Sequence, residues 1–334
     1  IITKDPVNNS FQVSSTMSNV NGDTWEQYMG ANASLVSKDN VYGIAVYQSY
    51  RNRNPYDVDG DSFSEIGKLN MNTFGLRAYY RPTQFSRLNI EYHTTNEFRR
   101  GGNKFDLEPF ESDITEQTKH VINSGGLTYD LFWKEYKHKL SFFASSQHVD
   151  RNSYYGAQQD PNAYGKTKDL TFVGGGMYVG NFDKVLFSPA TFTAGMEYQH
   201  NKMHDIMAGY NRDLEQKVRI ASAFFQNEWK MNDFTLLAGF RLDDHNLIDN
   251  LIFSPRVNML YKPSDAFQGR LTWSTGFRAP QAYDEDLHIT AVGGEGVLIH
   301  LADGLKPEKS NSFSGSVDLS GQIGHFQTNL LIEG

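Results

Sequence analysis

The chain has 334 residues, 39% of them hydrophobic, with no cysteine and a net charge of −8, and a mean hydropathy of −0.55. The acidic balance argues against nucleic acid as a partner, and the lack of cysteine excludes disulfides and thiolate metal centres. No run approaches the roughly 18 apolar residues of a helical membrane span, yet a membrane β-barrel hides its apolar residues in alternation and also averages to a polar hydropathy.

Taken in chain order, the sequence is a succession of strand signals. Ile1-Ile2-Thr3-Lys4 reads as the middle of a strand. Leu88, Ile90 and Tyr92 oppose Arg87, Asn89, Glu91 and His93. Ala190, Phe192, Ala194, Met196 and Tyr198 oppose Thr191, Thr193, Gly195, Glu197 and Gln199. Phe234, Leu236, Ala238, Phe240 and Leu242 oppose Thr235, Leu237, Gly239, Arg241 and Asp243. Phe313, Gly315, Val317 and Leu319 oppose Ser312, Ser314, Ser316 and Asp318. Period-two alternation gives each strand one oily and one wet face. The last residues, 330–334, stop inside such a strand, so both ends look cut.

About 15 such segments are separated by connections that alternate in length. Short ones fall at 37–40, 81–84, 134–137, 230–233 and 262–265, where Pro, Asn and Asp form turns. Longer polar ones fall at roughly 54–66, 99–115, 151–166, 203–214 and 277–308. Turns at one end and loops at the other describe an all-β fold, a transmembrane antiparallel up-and-down β-barrel. Tyr80-Arg81, Trp133-Lys134, Trp229-Lys230 and Tyr261-Lys262 each precede a short turn, as interfacial aromatics and cations would. Glu91, Glu197, Arg241, Arg270 and Glu333 on the wet faces need either a wide polar lumen or paired partners. Packing the oily faces together instead would make a soluble β-rich binding module.

Three stretches carry candidate chemistry. Asp57, Asp59, Asp61 and Glu65, with Gly60 between them, suit an oxygen-seeking cation such as Ca2+ in an extracellular loop, although the spacing departs from an EF-hand. Tyr154, Tyr155 and Tyr164 offer stacking surfaces for a large ligand, and His200, Met203, His204 and Met207 put nitrogen and sulfur donors in one stretch. No phosphate loop follows a strand and no nucleophile elbow is present, so the chain is read as no enzyme.

The stretch from 253 to 310 contains Phe253-Ser254-Pro255-Arg256, then Gly276-Phe277-Arg278-Ala279-Pro280, then Leu305-Lys306-Pro307-Glu308-Lys309-Ser310. These runs resemble signatures of the TonB-dependent outer-membrane receptors, and Ile1-Ile2-Thr3-Lys4 resembles the last strand of that family's N-terminal plug. The resemblance implies that 1–4 end a plug domain and that 5–334 form an incomplete barrel, about 15 of an expected 22 strands. It further implies active uptake of an iron-siderophore, haem or cobalamin across the outer membrane of a Gram-negative bacterium. The implied partners are the TonB-ExbB-ExbD complex, acting through the N-terminal plug region, a small organometallic ligand and outer-membrane lipid. In haem receptors of this family a histidine after the Phe-Arg-Ala-Pro run is an expected iron ligand, which selects His288 and His300. Tyr283, beside Asp284-Glu285-Asp286, stands in the same candidate ligand loop. A passive channel or structural barrel, and less so a soluble binding module, are the competing readings.

Overall fold

The computed structural model describes residues 5–281, 302 and 304–334. Residues 1–4, read as the end of a plug, lie outside the described residues, as do Tyr283, His288 and His300. Among the described residues, 15 antiparallel strands form one sheet in simple chain order. They are β1 (Ser10–Val20), β2 (Thr24–Val36), β3 (Tyr42–Arg53), β4 (Ser64–Thr83), β5 (Ser86–Gly102), β6 (Ile114–Trp133), β7 (His138–Ala157) and β8 (Tyr164–Val185). The meander continues with β9 (Ser188–Met207), β10 (Arg212–Met231), β11 (Phe234–His245), β12 (Ile252–Ser264), β13 (Phe267–Arg278), β14 (Glu308–Ile323) and β15 (Phe326–Glu333). Each sheet neighbour is also a sequence neighbour, as an up-and-down barrel wall requires.

The register puts each alternating row on one face. Gly175, Glu197, Ser222 and Asp243 are successive partners on one side, and Met196, Ala223 and Leu242 on the other. The apolar side is bare: Met196 is 71% exposed and Phe313 77%. A soluble sandwich would cover that side with a second layer, and the described residues form only one sheet. So large an apolar face needs lipid.

On the apolar face, rings touch from strand to strand. Trp133 stacks on His138 at 5.4 Å, and His138 Nδ1 lies 2.7 Å from Tyr178 Oη. Tyr178 meets Phe192 at 6.0 Å, Phe192 meets Phe225 at 4.9 Å, and Phe225, Phe240 and Phe253 follow at 5.7 and 5.5 Å. The four aromatic–cation pairs all sit at the turn ends of β4, β6, β10 and β12. There Trp229 donates to the Val185 carbonyl at 3.1 Å and Tyr261 stacks on Phe234 at 4.5 Å.

Three loop boundaries need correction. The connections expected at 151–166 and 203–214 shrink to 158–163 and 208–211, and the one at 99–115 to 103–113, because the flanking strands run on. β8 alone has 22 residues, whereas about 9–11 suffice to cross a bilayer. Above the membrane neither face must be apolar, so the strict alternation that marks a strand is lost although the ladder continues.

Candidate functional site

The wet faces of the strands form a wall of paired charges. Arg241 Nη2 reaches Glu197 at 2.8 Å and Arg241 Nε reaches Asp243 at 2.7 Å. Ser222, on the strand between β9 and β11, donates to Asp243 at 2.6 Å. The arrangement repeats nearer the loops, where Asp205 accepts from Thr167, from Arg212 at 2.7 Å and from Arg151 at 3.5 Å. In both places an acid and an arginine two strands apart close over a small hydroxyl residue. At the other end of the wall Arg77 and Arg87 both hold Asp5, and Arg77 also holds Glu91 at 2.9 Å. Glu91, Glu197 and Arg241, singled out as charges needing a partner, are therefore paired.

Between Glu197, Arg241, Gln226, Arg256 and Ser274 the wall forms a groove of about 580 Å³. Arg256, from the Phe-Ser-Pro-Arg run, donates to Gln226. The Gly-Phe-Arg-Ala-Pro run does something alternation does not foretell. It leaves the end of β13 and crosses the charged side of the wall: Phe277 meets His245 edge-on at 6.2 Å, and Gln281 accepts from Gln216 of β10 at 3.2 Å. His245 is 1% exposed beneath it, with Nδ1 accepting from the Leu247 amide at 3.1 Å.

The acidic loop between β3 and β4 comes together as its spacing suggests. Ligand oxygens of Asp57, Asp59, Asp61 and Glu65 all lie within 4.8 Å of one another. Asp57 accepts from the Gly60 and Ser62 amides at 2.7 and 2.8 Å, and Glu65 from the Val58 amide at 2.6 Å. Gly60 has φ +79°, a left-handed value that glycine takes without strain. A Tyr56–Ile66 bridge closes the base of the loop.

The aromatic and histidine candidates are scattered. Tyr154 is 0% exposed, packs edge-on against Tyr164 at 4.9 Å and donates to the Asp160 carbonyl at 2.9 Å. It holds the 158–163 loop and offers no stacking surface. Tyr155 is half-buried on the opposite strand face, its amide bound to the Ala163 carbonyl at 3.1 Å. His204 lies on the outward row, 2.8 Å from Asp213. Because these residues are on a strand, His200 and His204 share one face and Met203 and Met207 the other, so the four donors do not converge.

A single buried arginine orders the loop between β5 and β6. Arg100 donates to the Leu107 carbonyl and to Ser112 Oγ, both at 2.8 Å, and to the Lys104 carbonyl at 3.1 Å. Outside it, Lys104 and Asn103 donate to Asp113 at 2.7 and 2.8 Å, holding that carboxyl below the usual carboxylate range. Sequence offered no sign of this knot, since Arg100 follows Arg99 in what reads as a plain polar loop.

The sequence matches the family described as TonB dependent receptor-like, beta-barrel, over residues 9–330. No curated protein sequence matches it. Among solved structures it resembles the siderophore receptor PirA from Pseudomonas aeruginosa, at 15% identity and a TM-score of 0.72, covering 96% of this chain and 55% of that one. PirA from Acinetobacter baumannii gives 17% identity and 0.72, covering 98% of this chain and 52% of that one. The ferric enterobactin receptor PfeA from Pseudomonas aeruginosa gives 14% identity and 0.70, covering 93% and 51%. The chain thus spans about half the length of these receptors. A family match across nearly all 15 strands, on a wall with one apolar and one charged face, settles its kind: the chain belongs to the TonB-dependent receptor β-barrel family and forms wall of an outer-membrane barrel.

Proposed function

We propose that this chain supplies barrel wall to a receptor that takes up an iron-siderophore across the outer membrane. In this reading the TonB-ExbB-ExbD complex delivers energy through an N-terminal plug region, and the wall itself performs no catalysis. The observation that carries it is the charged side of the sheet. A passive pore needs only a wetted wall, whereas this one is organised into ion-paired clusters and crossed by the 277–281 segment. Paired charges hold their own geometry and leave a polar surface against which a folded plug and a large polar ligand can slide. That two similar structures are siderophore receptors and a third is a ferric enterobactin receptor supports an iron chelate as cargo.

In the same reading Asp57, Asp59, Asp61 and Glu65 hold Ca2+ and stiffen the loop between β3 and β4. Carboxylate oxygens are the ligands a hard divalent cation takes, and the amide donors to Asp57 and Glu65 pre-aim them.

The test uses the intact receptor, purified from iron-starved cells, with co-purified ligand identified by mass spectrometry. A ferric siderophore is the expected result. Haemin giving a Soret shift that His288→Ala or His300→Ala removes, or cobalamin in the preparation, would replace the siderophore as cargo. Equal permeation of small solutes with and without TonB, and no retained ligand, would make the protein a passive barrel.

A further inference from the structure

Tyr47 of β3, Gly75 of β4 and His93 of β5 are successive partners in one row of the charged face. The Tyr47 ring lies across Gly75, where any Cβ would collide with it, and so reaches the second strand over. Its Oη lies 2.7 Å from His93 Nδ1, with the two rings 5.9 Å apart. Glu91 stands two residues before His93 and therefore on the same face. Its Oε2 lies 3.7 Å from His93 Nε2, and its Oε1 lies 2.9 Å from Arg77 Nη1. Arg77 is fixed in turn by Asp5 at 3.0 Å. Both side chains are thus held from behind, with Nε2 and Oε2 turned toward each other. They open onto a polar groove of about 290 Å³, lined also by Ser124, Gly126, Ser145 and Gln147.

With its proton on Nδ1, donated to Tyr47 Oη, the neutral His93 ring keeps a lone pair at Nε2. Metal-bound histidines are oriented in this way, the second nitrogen donating to a fixed acceptor. Imidazole nitrogen and carboxylate oxygen each take Zn2+ at about 2.0–2.2 Å, so one ion can bridge the 3.7 Å gap. Asp5 and Glu91 already balance Arg77 and Arg87, so a dication here meets a neutral cluster. The same spacing and separation occur at His148 and Asp150 on the outward face. Among the described residues no second partner orients either of those two side chains.

We propose that Glu91 and His93 form a site for a divalent transition-metal ion of the Zn2+ or Cu2+ kind. A mixed nitrogen and oxygen donor set suits these ions. Tyr47 and Arg77 are positioning residues: one fixes the imidazole, the other the carboxylate. The remaining coordination positions open into the groove, to water or to a donor in the lumen. The site needs only the charged side of the wall and is independent of the cargo.

The experiment is electron spin-echo spectroscopy of the intact receptor, free of any tag, loaded with substoichiometric Cu2+ and competed with Zn2+. Wild type is expected to show nitrogen modulation from a single imidazole, and to lose it when Zn2+ is added. H93Q is expected to lose the modulation, and E91Q to bind Cu2+ more weakly. Y47F is expected to keep the modulation while binding about tenfold more weakly, as loss of an orienting partner does. H148Q, at the outward pair, and D57N/D61N, at the acidic loop, are expected to match wild type. Heat-modifiable gel mobility confirms that each variant is folded. No bound Cu2+ in wild type, modulation persisting in H93Q, its loss in H148Q, or unchanged affinity in both E91Q and Y47F would overturn the proposal.

Discussion

Arg241 of β11 and Glu197 of β9 meet at 2.8 Å across the intervening β10, over Ser222. The pair ties three strands together where the backbone ladder ties only neighbours. Asp243, 3% exposed, depends on the same guanidinium. Arg241→Met is expected to cost about 2 kcal/mol, less than a fully buried pair because Arg241 is itself part-exposed. Ser222→Ala removes one hydrogen-bonding hydroxyl and costs about 1 kcal/mol. Urea unfolding of the intact receptor in detergent measures both, and an order reversed from this would contradict the assignment.

Asp205→Asn removes the charge on which Arg151 and Arg212 converge. Burial makes this the more costly site, about 3 kcal/mol. The loss should appear as earlier hydrogen exchange in β9 and β10 near the loops, leaving their turn ends protected.

The turn between β8 and β9 places Leu186 at φ +63°, with its side chain 77% exposed. A left-handed leucine is strained by about 1 kcal/mol and gains nothing here from burial. Leu186→Gly or Leu186→Asn should therefore raise the unfolding midpoint. A lowered midpoint in both would show that the side chain has a contact in the membrane.

Acid should loosen the outer tie of the 103–113 loop and spare the inner one. The Asp113 carboxyl is held low by Lys104 and then Asn103. A depressed carboxylate contributes above its unfolded value of about 3.9 and stops contributing as pH falls through its folded value. Hydrogen exchange at residues 103 and 113 should rise below about pH 4. Arg100 keeps its charge and its carbonyl partners throughout, so Arg100→Met should open the loop at every pH.

If the 57–65 carboxylates hold Ca2+, chelation should raise exchange in that loop alone. Asp57→Asn/Asp61→Asn should abolish the response and terbium luminescence with it. A response surviving in the variant would place the cation elsewhere.

The architecture was legible because lipid imposes period two on every crossing strand. Ala190 to Gln199 and Phe234 to Asp243 each identify both of their faces unaided. The upper strands were not legible: Arg151 to Tyr155 and Met203 to Met207 leave the membrane, where neither face must be apolar, and they read as loop. That same misreading grouped His204 with Met203 and Met207, which a strand sets on opposite sides. The acidic loop was legible since its contacts are local, within nine residues of chain. The Arg100 knot and the crossing of Phe277 to Gln281 over β10 depend on tertiary placement, and no local pattern encodes that.

The most direct test asks which face of β9 meets lipid. The chain has no native cysteine, so single spin labels at Met196→Cys and Thr193→Cys can be read in the intact receptor in bilayers. Collision with oxygen should dominate at 196, and collision with a water-soluble nickel chelate should dominate at 193. Equal access of the nickel chelate to both positions would contradict a membrane wall with one face in lipid and the other toward a polar lumen.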